Sequence, residues 1–151
     1  MSIAWGTITW YFFHTLAEKI KEESFVLKKN ELLQLIYSIC DNLPCPECQE
    51  HSTAIMKNIK PRAINTKEDL QKMLWNFHNF VNKRRRVKQY DFAHCKEKFS
   101  AANINIIEKN FYIVMSQNYQ VMKLMGESFK RNRNIVFVKK WMRENADHFE
   151  E

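Results

Sequence analysis

Between Thr7 and Leu43 the chain has neither a glycine nor a proline, and in its whole length it has only two glycines and three prolines. These two residues punctuate chains: glycine supplies left-handed turns, and proline stops a helix. A sequence so poor in both has little material for tight turns, which argues for an all-α fold. Its 151 residues suit one domain, or one domain with an extension. A 45% hydrophobic content that includes eleven Phe, four Trp and five Tyr provides for a sizeable core.

Apolar positions recur at helical spacing. Trp10, Phe13, His14, Ala17 and Ile20 form one stripe over residues 9–22, with Thr9 as its N-cap. Leu32, Leu33, Leu35, Ile36, Ile39 and Cys40 form a second over 30–42, capped by Asn30. A short third helix runs to about Lys57 and carries His51, Ala54 and Ile55. Asn58–Asn65, which holds Pro61, reads as a loop. Thr66-Lys67-Glu68-Asp69 has the form of a capping box with Asp in place of Glu. It opens a helix through Leu70, Met73, Leu74, Phe77, His78, Val81 and Asn82. The run Lys83-Arg84-Arg85-Arg86 closes that helix with cations, which suit its negative end. One more short helix fits 89–100, around Tyr90, Phe92, Cys95 and Phe99. Two further periodic stretches, 104–125 and 134–148, are separated by Gly126 and the polar segment through Asn134. The expectation is four or five helices in residues 1–100. A helical extension over 101–151 follows, with Phe111, Val114, Met115, Met122, Leu124 and Met125 packing on the core or forming an interface.

The chemistry concentrates in Leu43-Pro44-Cys45-Pro46-Glu47-Cys48-Gln49-Glu50-His51. Pro44 disfavours helix at the residue before it, whereas Pro46 fits the first turn of a new helix. Cys45 and Cys48 therefore sit at a helix N-terminus, where free N–H groups and the dipole favour a thiolate. Such a pair can cycle between dithiol and disulfide, form half of a zinc site, or be inert. A zinc reading would join Cys45 and Cys48 to His51 and to Cys95 or a further His, in a basic helical module able to bind nucleic acid. No apolar run approaches the roughly 20 residues of a membrane span. Four cysteines are too few for a disulfide-rich secreted scaffold, and no secretory signal pattern is present at the N-terminus. Residues 57–98 carry twelve basic against four acidic side chains, so the net +7 follows the cysteine motif; this is either a solvated helix face or a surface for a phosphate-bearing ligand or an acidic partner.

Trp10 and His14 are spaced i, i+4 and share a face. His78, Asn79 and Asn82 lie on one side of an otherwise apolar helix, where buried polar groups need partners. Rings for stacking, amides for ring edges and cations for phosphates together fit a large, flat, phosphorylated aromatic cofactor. A flavin adenine dinucleotide beside Cys45 and Cys48 would accept the two electrons that a dithiol releases.

Three blocks then resemble the Erv/ALR family of FAD-linked sulfhydryl oxidases, over residues 5 to about 99. They are Gly6-x-x-x-Trp10-x-x-x-His14-Thr15-Leu16-Ala17, Cys45-Pro46-Glu47-Cys48 and His78-Asn79-Phe80-Val81-Asn82-Lys83. The resemblance implies a four-helix bundle with a short fifth helix cradling FAD, usually a homodimer, with O2 or another acceptor reoxidising the flavin to give H2O2. It makes Cys48 the flavin-proximal thiolate and Cys45 the outer thiol that exchanges with substrate. It makes Gly6, Trp10, His14, His78, Asn79, Val81 and Asn82 cofactor neighbours, and sends Lys83 and the basic residues to Lys88 toward ribose or phosphate. His51, one turn after Cys48, is a candidate to line the adenine side or tune the thiolate, with an exposed helical His as the alternative. No metal is implied. The partners it implies are dithiol proteins or a small thiol–disulfide carrier, with no nucleic acid and no membrane span. The chain is similar to the minimal members encoded by large DNA viruses, and with no targeting segment read in it the expected location is host cytoplasm or a virus particle, with the mitochondrial intermembrane space as the alternative.

Two departures stand out. Cellular members often join the residue three before the motif His to a downstream cysteine. That position is Trp75 here, which leaves Cys95 free, paired with Cys40, or cross-linked to another chain. No second cysteine pair is present to serve as a shuttle arm.

Overall fold

The computed structural model describes residues 2–117 and 125–151. Its helices are α1 (Ser2–Lys19), α2 (Glu22–Cys40), α3 (Pro46–Lys57), α4 (Lys67–Arg84), α5 (Phe92–Ser100), α6 (Ile104–Met115) and α7 (Met125–Glu144). Short 3-10 turns occur at Pro61–Ala63 and Ala146–His148, and no extended strand occurs among the described residues. The fold is all-α.

α1 is the hub. It packs on α4, α5 and α6, while α2 packs on α3 and α7. Phe12 and Leu16 of α1, Ile20 just past its end, and Leu32, Leu35, Ile36 and Ile39 of α2 are fully buried, and Phe12 stacks on Phe111 of α6 at 4.6 Å. Removing such a side chain from water contributes about 1.5–3 kcal/mol. α6 and α7 add Ile104, Phe111, Met115, Ile135, Val138, Trp141 and Met142 to the same cluster. Polar ties reinforce α7 on α2: Trp141 Nε1 donates to Glu31 Oε1 (3.0 Å), Asn134 Nδ2 to Ser38 Oγ (2.9 Å) and Lys130 Nζ to Asp41 Oδ2 (3.1 Å). The tail closes on the α1–α2 corner. Phe149 bridges to Ile20, the Lys21 N–H donates to His148 O (2.8 Å), and the Glu150 N–H donates to Lys19 O (2.7 Å).

Several helix ends differ from expectation. Thr9 lies inside α1, where its hydroxyl donates to the Trp5 carbonyl (2.6 Å). Asn30 lies inside α2, which starts at Glu22 with Glu22 and Glu23 against its positive end. Val26 and Leu27, 76% and 74% exposed, break the apolar stripe without breaking the helix, since no Gly or Pro is there to stop it. Gly126 through Asn134 does not separate two helices but forms the first half of α7. A glycine in a first turn costs little, and Arg133 faces solvent while Arg131 and Ile135 are buried. α6 ends at Met115; Met122, Leu124 and the side chain of Met125 lie outside the described residues. The capping box forms as expected, with the Asp69 N–H donating to Thr66 Oγ1 (3.0 Å) and the Thr66 N–H to Asp69 Oδ2 (3.1 Å).

Candidate active site

α2 ends at Cys40, and Pro44 disfavours helix at Leu43. Gln49 Nε2 donates back to the Leu43 carbonyl (2.6 Å), which holds the turn. Cys45 then caps α3 in an extended conformation, with Pro46 in the first turn. Its sulfur accepts from the Cys48 N–H (3.2 Å) and is bonded to Cys48 Sγ in a disulfide. Both sulfurs thus lie in the first turn of α3, where the dipole favours developing thiolate charge.

Cys48 also lies in the wall of a cavity of about 650 Å³ between α1, α3, α4 and α5. That volume falls in the range of small-molecule and cofactor sites, about 300–1,000 Å³. α1 contributes Trp5, Gly6, Trp10 and Tyr11; α3 contributes Cys48 and His51; α4 contributes Phe77, His78, Phe80, Val81, Asn82 and Arg84, followed by its C-cap Arg85. Val87, Lys88 and Tyr90 close one side, with Lys98 and Phe99 from α5. A Cβ placed at Gly6 would meet nothing within 4 Å, so the missing side chain leaves that wall open. Trp10 lies flat on His78, with centroids 4.2 Å apart and planes 6° from parallel. Aromatic walls, a rim of Arg84, Arg85, Lys88 and Lys98, and a cystine in the lining suit a flat, anionic, redox-active group.

Of the residues singled out in the sequence, Gly6, Trp10, Cys48, His51, His78, Val81, Asn82 and Lys88 line this cavity, and His14, Asn79, Lys83 and Cys45 do not. His14 is sealed behind His78, with its Nε2 2.9 Å from His78 Nδ1 and its ring stacked on Phe99 at 4.3 Å. Asn79 grips the segment after α4: its Nδ2 donates to Tyr90 O (2.7 Å), and its Oδ1 accepts the Tyr90 N–H (2.8 Å). Trp75, one turn earlier, donates its Nε1–H to the same carbonyl (2.8 Å). Asn82 does two jobs, lining the cavity while its Nδ2 donates to Lys88 O (3.3 Å). α4 itself ends in a Schellman motif, with Val87 N–H to Asn82 O (2.8 Å) and Arg86 N–H to Lys83 O (3.2 Å). Arg86 takes the left-handed position at φ 58°, where glycine is usual.

A family model described as Erv1 / Alr matches residues 7–100. FAD-linked sulfhydryl oxidases from two African swine fever virus isolates are 30% and 29% identical to the chain over 104 residues, 69% of this chain and 87% of each relative. The chain belongs to the Erv1/Alr family. A protein of Invertebrate iridescent virus 3 is 31% identical over 81 residues, 53% of this chain and 55% of its own length. No solved structure matches the chain. The Erv1/Alr match ends at the last residue of α5, so α6 and α7 lie outside it.

The buried polar groups of this Erv1/Alr domain are held uncharged. Burial, then His78 and Lys98, lower His14 to about 3; burial and Lys98 lower His78 to about 4. Cys40 and Cys95 are separate buried thiols, so the alternative of a Cys40–Cys95 bond is not formed. Burial raises Cys40 to about 12; burial and Glu18 raise Cys95 to about 11. Both stay protonated at neutral pH and are poor nucleophiles, unlike a thiolate at the α3 terminus. The rival zinc set is not assembled, because Cys45 and Cys48 are bonded to each other, and His51 Nε2 accepts from Arg84 (3.2 Å). Among the described residues no three His, Cys, Asp or Glu side chains are gathered to hold a metal, and no described helix is long and apolar enough to cross a membrane.

Sequence reasoning missed Tyr11 and Lys98. Lys98 Nζ donates to the Tyr90 hydroxyl (3.2 Å) and lies over the Tyr11 ring at 5.2 Å and the Tyr90 ring at 5.1 Å. A Lys one residue before the core Phe99 was the available signal, since that register turns it toward α1.

Proposed function

We propose that the chain is an FAD-linked sulfhydryl oxidase that forms disulfides in substrate dithiols through Cys45 and Cys48, with O2 as final acceptor and H2O2 as product. One observation carries the reading: the Cys45–Cys48 disulfide has one sulfur in the wall of an aromatic cavity rimmed with cations. Trp10, His78, Val81 and Asn82 would hold the cofactor's rings, and Arg84, Arg85 and Lys88 its phosphates. Bound FAD supplies a two-electron acceptor.

The protein's own steps balance. A substrate thiolate attacks Cys45 Sγ, forming a mixed disulfide and releasing Cys48 as thiolate. The α3 dipole stabilises that leaving group. The second substrate thiol, once deprotonated, attacks the substrate sulfur of the mixed disulfide. Substrate leaves oxidised, and the protein keeps two electrons as the Cys45/Cys48 dithiol, with Cys48 turned to the cavity.

The test is a spectrum and an oxygen trace. The purified chain should retain flavin absorption bands through desalting and take up O2 when dithiothreitol is added. Cys48→Ser should keep the bands and lose oxygen uptake to background. A colourless protein that takes up no added FAD would sink the reading.

The reading extends to a homodimer and to a small thiol–disulfide carrier as partner, in host cytoplasm or a virus particle, since the relatives are viral; the mitochondrial intermembrane space is the alternative. The outer face of α7, with Phe129, Val136 and Phe137 exposed, supports an interface on the extension. Phe129→Glu with Val136→Glu should leave dithiothreitol oxidation intact and reduce dimer formation or oxidation of a carrier protein.

A further inference from the structure

Three buried groups form a chain leading to the cavity. Cys95 Sγ lies 3.7 Å from His14 Nδ1, and His14 Nε2 lies 2.9 Å from His78 Nδ1. The rings cannot turn freely, because His14 is stacked on Phe99 and His78 on Trp10. The last nitrogen of the series, His78 Nε2, has no hydrogen-bond partner among the described residues, and His78 lines the cavity.

Proton counting restricts this chain to two arrangements. A neutral imidazole has one N–H and one lone pair, so the bond between the rings has one donor and one acceptor. If His14 Nε2 donates, His78 Nδ1 accepts and Nε2 carries hydrogen into the cavity. If the bond runs the other way, His78 Nε2 presents a bare lone pair. The group at His14 Nδ1 decides, and that group is Cys95. Burial, with Glu18 and Asp91 nearby and Lys98 opposing, keeps the thiol protonated. An imidazole lone pair is a better acceptor than a thiol sulfur, so S–H to Nδ1 is the favoured direction.

We propose that Cys95, acting through His14, fixes the tautomer of His78 so that His78 offers an Nε2–H donor to the cavity, which then takes an acceptor atom of its ligand at that point. Cys95 and His14 are positioning residues, and only His78 touches the ligand. That the acceptor belongs to a flavin dinucleotide rests on the function proposed above; the tautomer does not.

The test reads nitrogen protonation directly, in the full chain without added FAD. Long-range ¹H–¹⁵N correlation of the imidazoles should find His78 protonated on Nε2 and bare on Nδ1. Cys95→Ser, which keeps a donor, should preserve that pattern. Cys95→Ala should mix or invert it and weaken FAD binding about five- to tenfold, as expected for one misdirected hydrogen bond. Wild type with hydrogen on His78 Nδ1 would overturn the proposal without any variant, and so would Cys95→Ala with an unchanged pattern. The expected tautomer in a chain that takes up no FAD would retire the flavin reading and leave the hydrogen-bond direction standing.

Discussion

The helices before and after Ala101 bury different things. α1–α5 bury His14, His78 and Asn82 at or behind a cavity, and Gln71 against the Ala17 carbonyl (3.3 Å). α6 and α7 bury mainly Ile, Val, Phe, Met and Trp, with Arg131, and Asn145 just past α7, the polar exceptions. Polar burial costs free energy unless it is hydrogen-bonded, whereas apolar burial stabilises directly. The first region accepts that cost to shape a site, and the second region closes the core around it.

The comparison breaks most visibly by cutting a side chain from the second region. Phe111→Ala should cost about 3–5 kcal/mol, because it empties a fully buried ring site against Phe12. Urea unfolding would measure it; a loss below about 1 kcal/mol would mean that the extension is only loosely docked.

Acid sharpens it. His14 and His78 lie near 3 and 4 in the fold, below the 6.5 of a free imidazole. The unfolded chain therefore takes up protons first, so their contribution is intact above about 6.5 and is lost as pH falls toward 4. Each imidazole should account for about 2 kcal/mol between pH 7 and 4.5. His14→Gln with His78→Gln should flatten the dependence, and the Phe111→Ala loss should be equal at both pH values. In alkali the buried thiols act in the opposite sense, since Cys40 and Cys95 are raised to about 12 and 11 and stability falls above about 9.

A smaller effect separates grip from lining. Asn79→Ala removes both bonds to the Tyr90 backbone and should cost about 1–3 kcal/mol. Amide exchange at Tyr90 should accelerate far more than exchange in α7. The smallest change is a gain: Arg86→Gly at φ 58° should stabilise by up to about 1 kcal/mol, read as a shift in urea midpoint.

Much of the first region was legible in the sequence, for physical reasons. The capping box at Thr66, the proline-flanked Cys45–Cys48 turn and the α4 stripe are local signals that tertiary packing had no cause to override. The helix starts at Ser2 and Glu22 were not legible, because Thr9 and Asn30 carry cap chemistry in places where nothing stops the chain from staying helical. The cavity-lining set was only partly legible. Spacing puts His14 and Asn79 on the correct faces, but depth within a layer is a tertiary property, and only the packing reveals that His14 lies behind His78 and that Asn79 serves Tyr90. Lys98 was harder to read, because its partner Tyr11 is distant in sequence and only its place before Phe99 turns it toward α1.

The clasp of Trp75 and Asn79 on Tyr90 has a consequence in an environment of reductants and thiols. In chains fastened at this point by a cystine, the substrate's own chemistry can also attack the scaffold. Here the fastening is an indole and an amide, which thiols neither attack nor exchange with. On the function proposed above, the Cys45–Cys48 cystine would be opened and closed repeatedly while the strap beside it keeps its shape.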